Sequence, residues 1–253
     1  MYNKINLNPQ MLAGLARNAK GQISCIFLHW SAGYYGQSFK DYHLCIDGDG
    51  KVYSMCFNLT DKKAHTWHRN TGSVGIAMNC CWGASIRRKS DEEKDAERLS
   101  QISDNRDQGS DNPPAYGSPP DVGHKKFEEY EHSCPSIREG CPKGGVGSQQ
   151  KYVADWGNYP PTPQQIMSMA YAVACICFHA ELPINASTVM THAEIAKVDN
   201  YGIDSDDPEK KWDLLVLPGY QESGGEVIRK LAKAYLAKMI KDRDELSKQL
   251  ANK

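Results

Sequence analysis

Two histidines lie where apolar runs of the sequence end. His29 ends the run in "CIFLHW", and His192 follows the short run in "STVMTH". Such runs are typical of buried strands, and an imidazole at the end of a strand makes a good zinc ligand because the strand fixes its direction. A catalytic zinc needs three protein ligands and one open position. The acidic segment "DSDDPEKKWD" could supply the third. A single histidine in such a place is more often an ordinary core or surface residue, and it is the two histidines together with the acidic segment that favour a metal site.

Strand patterns that could position His29 recur between residues 20 and 85. They are "QISCIFLHW", "DYHLCIDGDGKVYSMCF" and "GSVGIAMNCCW". The "DGDG" between two alternating segments predicts a β-hairpin, because Asp and Gly tolerate the positive φ angles of tight turns. The sequence therefore predicts a sheet that contains at least one antiparallel pair.

A buried helix is predicted to begin at "TPQQIMSMAYAVACICFHA" and to end near Pro183. Thr162 is placed to cap it, Pro163 suits the first helical position, and Gln165 completes a capping box. A second helix is predicted at the C-terminus, where one face recurs at helical spacing and most simply packs on the sheet. That face consists of Val227, Ile228, Leu231, Tyr235, Leu236 and Met239.

The segment between these regions, about residues 87–159, has a different composition. It is charged and then rich in Pro, Gly, Ser and Asn, so it cannot bury enough apolar area to offset its chain entropy. We interpret it as a long irregular insertion, within which residues 91–102 could form a short surface helix. The domain organisation that we predict is a main domain over residues 1–221, interrupted by this insertion, and a C-terminal helix over 222–253 that packs on or extends from it.

Composition excludes several classes of function. The 253 residues include 30 basic and 31 acidic side chains, which argues against a generic nucleic-acid or lipid-surface binder. The N-terminus lacks a signal-peptide pattern, and no stretch approaches ~20 apolar residues. We therefore expect a protein that is made in the cytoplasm and does not insert into membranes, with its nine cysteines mostly reduced.

Five segments, in order, resemble the zinc-dependent N-acetylmuramoyl-L-alanine amidases of type 2. The segments are "IFLHWSAG", "DYHLCIDGDGKVY", "AHTWHRNTGSVGIAMN", "TPQQIMSMA" and "THAEIA" with "DDP". The resemblance covers roughly residues 20–85 and 160–220. That family shares its fold with peptidoglycan recognition proteins and amidase-type phage lysozymes. The resemblance implies an α/β (α+β) fold with a central mixed β-sheet flanked by helices.

The resemblance also implies a set of site residues. His29 and His192 are the metal ligands, with one Zn²⁺ per chain. Asp207, which precedes Pro208 as the family's third ligand precedes its proline, leads as the third ligand. Asp213 is the alternative, and it could instead be the N-cap of the final helix.

Further side chains are implied around the metal. Tyr42 matches a tyrosine beside it that can orient water or stabilise a tetrahedral intermediate. The implied substrate contacts in the cleft wall and rim are His65, Trp30, Asn70 and His68.

Two positions depart from the family's pattern. Ala77 stands where some relatives carry a glutamate base, and Ser205 stands where others carry a lysine. A base or electrostatic helper must then come from elsewhere, and we consider Glu194, Lys197 and the acidic run 204–206.

The function that the resemblance implies is zinc-dependent hydrolysis of the amide between N-acetylmuramic acid and L-alanine in peptidoglycan. The absence of a signal sequence and the long insertion fit a phage or prophage endolysin that reaches the cell wall through a holin-type pore. Two alternatives stay open. One is a non-catalytic peptidoglycan-binding module, and the other is a cytoplasmic amidase that recycles soluble muropeptides.

Overall fold

A computed structural model describes residues 4–96, 151–207 and 210–251 of the chain. Its main feature is a six-stranded sheet, whose strands are β1 (Ile5–Asn6), β2 (Cys25–Trp30), β3 (Leu44–Ile46), β4 (Val52–Ser54), β5 (Ser73–Met78) and β8 (Val189–Thr191). The spatial order of the strands is β1-β4-β3-β5-β2-β8. The helices are α1 (Pro9–Asn18), α2 (Pro163–Ala180), α3 (His192–Val198) and α4 (Gly224–Ala251).

The sheet is mixed, as predicted. β2 pairs in parallel with both β5 and β8, and β3 is parallel to β5, whereas β4 pairs antiparallel with β3 and β1. β5 is buried along its whole length and β2 from Ile26 onward, which explains why these strands are continuous apolar runs. The predicted α/β class with a central mixed sheet and flanking helices is confirmed.

The hairpin predicted at "DGDG" joins β3 to β4. The Asp47 N–H donates to the carbonyl of Lys51, and the Gly50 N–H donates to the carbonyl of Asp47. Gly50 has a φ of 80°, which a glycine adopts without strain. The predicted antiparallel pair is therefore confirmed.

The capping box predicted for α2 is also present. The Thr162 side chain accepts from the N–H of Gln165, and the Gln165 side chain accepts from the N–H of Thr162. The buried amide of Gln165 also donates to the carbonyls of Ile46 and Asn79. These bonds fix the start of the helix against the ends of β3 and β5.

The C-terminal helix, α4, packs mainly against α2 and also contacts β8, so its packing on the sheet is a smaller part of its contacts than the sequence suggested. Tyr235 of α4 meets Tyr171 of α2 edge to face, with ring centroids 5.6 Å apart. A capping box formed by Ser223 and Glu226 begins the helix. Asp213 is thus not its N-cap. The last turns of α4 are exposed.

The ends of the predicted insertion are ordered, which corrects the expectation of an irregular segment there. β6 (Ser85–Arg88) pairs antiparallel with β7 (Tyr152–Asp155), and residues 91–96 are helical. Residues 97–150, the rest of the insertion, lie outside the described residues. Within the described part of the chain, no helix is long and apolar enough to span a membrane.

Candidate metal centre

The register of the sheet brings the two strand-end histidines together. β8 lies beside β2 in parallel, with Leu28 opposite Thr191, so the next residue of each segment lies at the same end of the strand pair. Those residues are His29, which is fully buried in β2, and His192, which begins α3. Thr191 caps α3 and so sets the direction in which His192 leaves the strand. The Nδ1 atoms of the two rings lie 3.2 Å apart.

The carboxylate that joins the histidines belongs to Asp213. Its Oδ2 lies 3.0 Å from Nδ1 of His29 and 3.0 Å from Nδ1 of His192. The backbone N–H of Ala193 donates to the carbonyl of Asp213, which ties the Asp213 loop to the first turn of α3. The neighbouring Trp212 packs edge to face on Trp30 at a centroid distance of 4.6 Å.

These three side chains fit a tetrahedral zinc ion. Zinc bonds to nitrogen and oxygen are about 2.0–2.1 Å long, so neighbouring ligand atoms of a tetrahedral site lie about 3.3 Å apart. The observed separations of 3.0, 3.0 and 3.2 Å approach that value on all three edges. Among the described residues, these are the His, Cys, Asp and Glu side chains that form a group able to hold a metal ion.

The protonation states of the group also suit a cation. Burial lowers the pKa of His29 from 6.5 to about 4, so at neutral pH the ring is uncharged, as a metal ligand must be. Burial acts to raise the pKa of Asp213, but the neighbouring His192 and His29 outweigh it and hold that pKa below its usual range. Asp213 is therefore an ionised carboxylate inside the protein.

A second layer of polar side chains lies behind His29. Its Nε2 is 3.3 Å from Oγ1 of Thr66, which is 3.0 Å from Nδ1 of His65. The resemblance implies a substrate contact for His65, but the structure buries its ring over the backbone of Gly75. Burial and the neighbouring histidines lower the pKa of His65 to about 2, so this ring is uncharged.

Two tyrosines border the centre. The ring of Tyr42 lies 5.2 Å from that of His29, and burial together with the Asp213 charge raises the pKa of its hydroxyl. The ring of Tyr201 lies 5.8 Å from that of His192. The buried Tyr201 hydroxyl has no hydrogen-bond partner among the described residues. Tyr42 thus lies beside a proposed ligand and its role stays a prediction, whereas no motif in the sequence indicated Tyr201.

The leading choice for the third ligand lies outside the group. Asp207 is half-buried, and its N–H donates to Oγ of Ser205. The alternative, Asp213, is the carboxylate that contacts both histidines. The choice of Asp207 rested on its match to the family's motif before a proline, and such a match does not say where the loop lies in space.

Neither of the two helper residues from α3 joins the group. The Glu194 carboxylate binds Arg229 through two hydrogen bonds of 2.9 and 2.8 Å and also accepts from the N–H of Thr191. Lys197 is exposed. In the acidic run 204–206, Asp204 accepts hydrogen bonds from Arg88 and from the Tyr152 hydroxyl. Both carboxylates, Glu194 and Asp204, are thus engaged in hydrogen bonds outside the group of His29, His192 and Asp213.

The predicted substrate contacts are not all accessible. Trp30 is only 6% exposed, so it supports Trp212 from within the core and does not form a cleft rim. The Asn70 side-chain oxygen accepts from the N–H groups of His65 and Thr66 and so organises their loop. His68 is exposed and lies against the ring of Trp67, with centroids 4.0 Å apart.

Comparison with known proteins gives little further information. No protein-family model matches the sequence, and no curated protein matches it. The X-ray structure of PGRP-SA from Apis mellifera is 17% identical over 42% of this chain and 70% of that one, with a TM-score of 0.22. A complex of tracheal cytotoxin with the ectodomains of the peptidoglycan recognition proteins LCa and LCx is 18% identical over 42% of this chain and 67% of that one, with a TM-score of 0.21. Neither score establishes a shared fold.

Proposed function

We propose that the protein is a zinc-dependent amidase that hydrolyses the bond between N-acetylmuramic acid and L-alanine in peptidoglycan. The observation that carries the proposal is the buried group of His29, His192 and Asp213, whose ligand atoms are spaced as on one face of a zinc tetrahedron. Three protein ligands with a fourth position left open are typical of catalytic zinc, whereas structural zinc usually has four. We therefore assign Asp213 as the third ligand.

In the proposed hydrolysis, each side chain of the site has its own role. A zinc ion held there supplies Lewis-acid activation of water and of the scissile carbonyl. Asp213 and the two histidines hold the ion, and the carboxylate offsets part of its charge. Tyr42, beside His29, donates a hydrogen bond from its hydroxyl to the carbonyl oxygen, which becomes negatively charged as the tetrahedral intermediate forms.

We assign the stem peptide to an open cleft next to Trp212. Its volume is about 660 Å³, and it is lined by Ile86, Arg87, Arg88, Ile203, Lys210, Lys211 and Trp212. Stem peptides of peptidoglycan carry free carboxylates, which basic side chains bind well. The ordered motif series that resembles type 2 amidases supports the same substrate.

Metal analysis of purified variants tests the assignment of ligands. After zinc loading and dialysis, we expect about one zinc per wild-type chain. His29→Ala and Asp213→Ala should lose it, and Asp207→Ala, the matched control, should retain it. Folded wild-type protein that takes up no zinc would overturn the proposal. Loss of zinc in Asp207→Ala alone would restore Asp207 as the ligand.

Activity on two substrates separates the remaining alternatives. Mass spectrometry of digested sacculi should show peptides with a free L-alanine amine and glycan with a free lactyl carboxyl group. We extend the proposal to an endolysin that reaches the wall through a holin-type pore, which predicts faster cleavage of intact sacculi than of small muropeptides. The reverse preference would identify a recycling amidase, and binding without cleavage would identify a recognition module.

A further inference from the structure

A continuous line of hydrogen bonds runs from His29 away from the metal centre. It passes from Nε2 of His29 to Oγ1 of Thr66 (3.3 Å) and from there to Nδ1 of His65 (3.0 Å). From Nε2 of His65 it continues to Oγ of Ser73 (3.4 Å), and the Ser73 hydroxyl then donates to the backbone carbonyl of Arg69 (2.7 Å). His29, His65, Thr66 and Ser73 are all buried, so water does not compete for these groups.

The carbonyl at the far end fixes the direction of every proton in the line. A carbonyl oxygen can only accept, so the single Ser73 hydroxyl proton is used there, and Ser73 can only accept from His65. A neutral imidazole has one donor and one acceptor nitrogen. His65 therefore donates from Nε2 and accepts at Nδ1 from the Thr66 hydroxyl. Thr66, with its proton used, accepts from Nε2 of His29.

We propose that Thr66, His65 and Ser73 are positioning residues that hold the His29 proton on Nε2 and leave the Nδ1 lone pair directed at the metal position. The inference rests on the proposed function only in naming the ion; the tautomer itself is a property of the metal-free protein. Without the line, the closest acceptor for a His29 proton would be Oδ2 of Asp213, 3.0 Å from Nδ1. Zinc would then have to displace that proton before it could bind.

The position of the His65 ring depends on a close approach to the backbone of Gly75. A Cβ on Gly75 of β5 would lie 2.5 Å from Cγ of His65, so a residue without a side chain is needed there for the ring to reach its place. The Asn70 side chain holds the backbone of His65 and Thr66 from the other side. Ring and hydroxyl are thus positioned by contacts that do not involve a metal.

Nitrogen-15 NMR of the histidines in the metal-free protein tests the proposal directly. Long-range ¹H–¹⁵N correlation spectra show which ring nitrogen carries the proton, and His29→Gln identifies the His29 signals. We expect Nε2–H for both His29 and His65 in the wild type. Thr66→Val keeps the side-chain volume but removes the hydroxyl, so His29 should shift towards Nδ1–H. Thr66→Ser should keep the wild-type pattern.

Zinc affinity is the second measurement, made by competition with a chromogenic chelator. Thr66→Val should weaken binding about 10- to 100-fold, as loss of a partner behind a metal ligand usually does, and Thr66→Ser should restore it. Thr188→Val, the same substitution at a buried threonine near the opposite end of β8, is the control. If Thr66→Val does not fold, Ser73→Ala removes the anchor of the line and should also weaken binding.

The outcomes distinguish this proposal from the proposed function. Nδ1–H on His29 of the wild type, or equal zinc affinity in Thr66→Val and Thr66→Ser, would overturn the positioning role. A wild-type protein that shows the expected tautomers and their loss in Thr66→Val, yet binds no zinc, would uphold the proton line and refute the zinc enzyme.

Discussion

Gly75→Ala should damage the candidate metal centre without altering any of its three proposed ligands. Gly75 lies in β5 opposite Phe27, and the His65 ring lies over its backbone. The added methyl group would be 2.5, 2.7 and 2.9 Å from Cγ, Cδ2 and Nδ1 of His65. Carbon atoms pack at about 3.5–4.0 Å, so the ring must withdraw by roughly 1 Å.

That displacement is large compared with the tolerances of the hydrogen bonds. The His65 ring is 3.0 Å from Oγ1 of Thr66 and 3.4 Å from Oγ of Ser73, and a movement of roughly 1 Å breaks at least one of these bonds. Overpacking of this kind costs about 1–3 kcal/mol of unfolding free energy. Loss of the positioned ring should weaken zinc binding about 10- to 100-fold.

Urea unfolding and chelator competition measure the two effects separately. Gly14→Ala is the control, because a Cβ at this position would meet no atom within 4 Å. Gly14 lies inside α1, where alanine is a better helix former than glycine, so this variant should be stabilised by about 1 kcal/mol. In the double variant with Thr66→Val, the losses of zinc affinity should not add, since both changes break one line. Wild-type zinc affinity in Gly75→Ala, with its stability reduced, would refute the reasoning.

Three further predictions concern neighbouring residues. Tyr42→Phe should lower kcat by about 100-fold or more in steady-state kinetics, while metal analysis should show an unchanged zinc content. An unchanged kcat would show that the Tyr42 hydroxyl does not take part in catalysis. Glu194→Gln should lower the free energy of unfolding by about 1–3 kcal/mol, because it weakens the pair with Arg229, and it should leave kcat unchanged. A large loss of kcat in a stable variant would instead show that Glu194 takes part in catalysis. Burial lowers the pKa of His43 from 6.5 to about 4, so the unfolded chain binds its proton first as the pH falls. This residue should therefore contribute up to about 3 kcal/mol to the loss of stability between pH 6.5 and 4, beside the contributions of His29 and His65, and His43→Gln should remove its part of the slope in urea unfolding at several pH values. An unchanged slope would contradict the buried neutral His43.

The parts of the fold that the sequence predicts are those encoded locally. The hairpin depends on the turn residues at 47–50, and the start of α2 depends on Thr162 and Gln165, three positions apart. The sequence also predicted that His29 and His192 lie close together, because each follows an apolar run typical of a buried strand and two such strands can be neighbours in a sheet. Periodicity and capping carry this information within a few residues.

The parts that the sequence did not predict depend on contacts between distant segments. Asp213 reaches His29 across 184 positions, and no spacing rule distinguishes it from Asp207. The sequence places Trp30 at the end of a strand before a loop, which suggested a position in the cleft rim. Its ring instead packs in the core against Trp212 and Trp156. His65 matches a motif for a residue of the cleft wall, but in the folded protein its ring lies inside, over the backbone of Gly75.

The three side chains proposed as metal ligands are held in place by protein contacts alone. His29 belongs to a central strand and is held from behind by Thr66, whereas His192 and Asp213 are linked through the hydrogen bond from Ala193. Leu214, next to Asp213, adopts a φ of 60°, which is costly for a residue with a side chain and is offset here by complete burial. Because the hydrophobic core holds these elements independently of any ion, metal removal should abolish activity and leave the fold intact, unlike in zinc fingers, whose folding requires the metal.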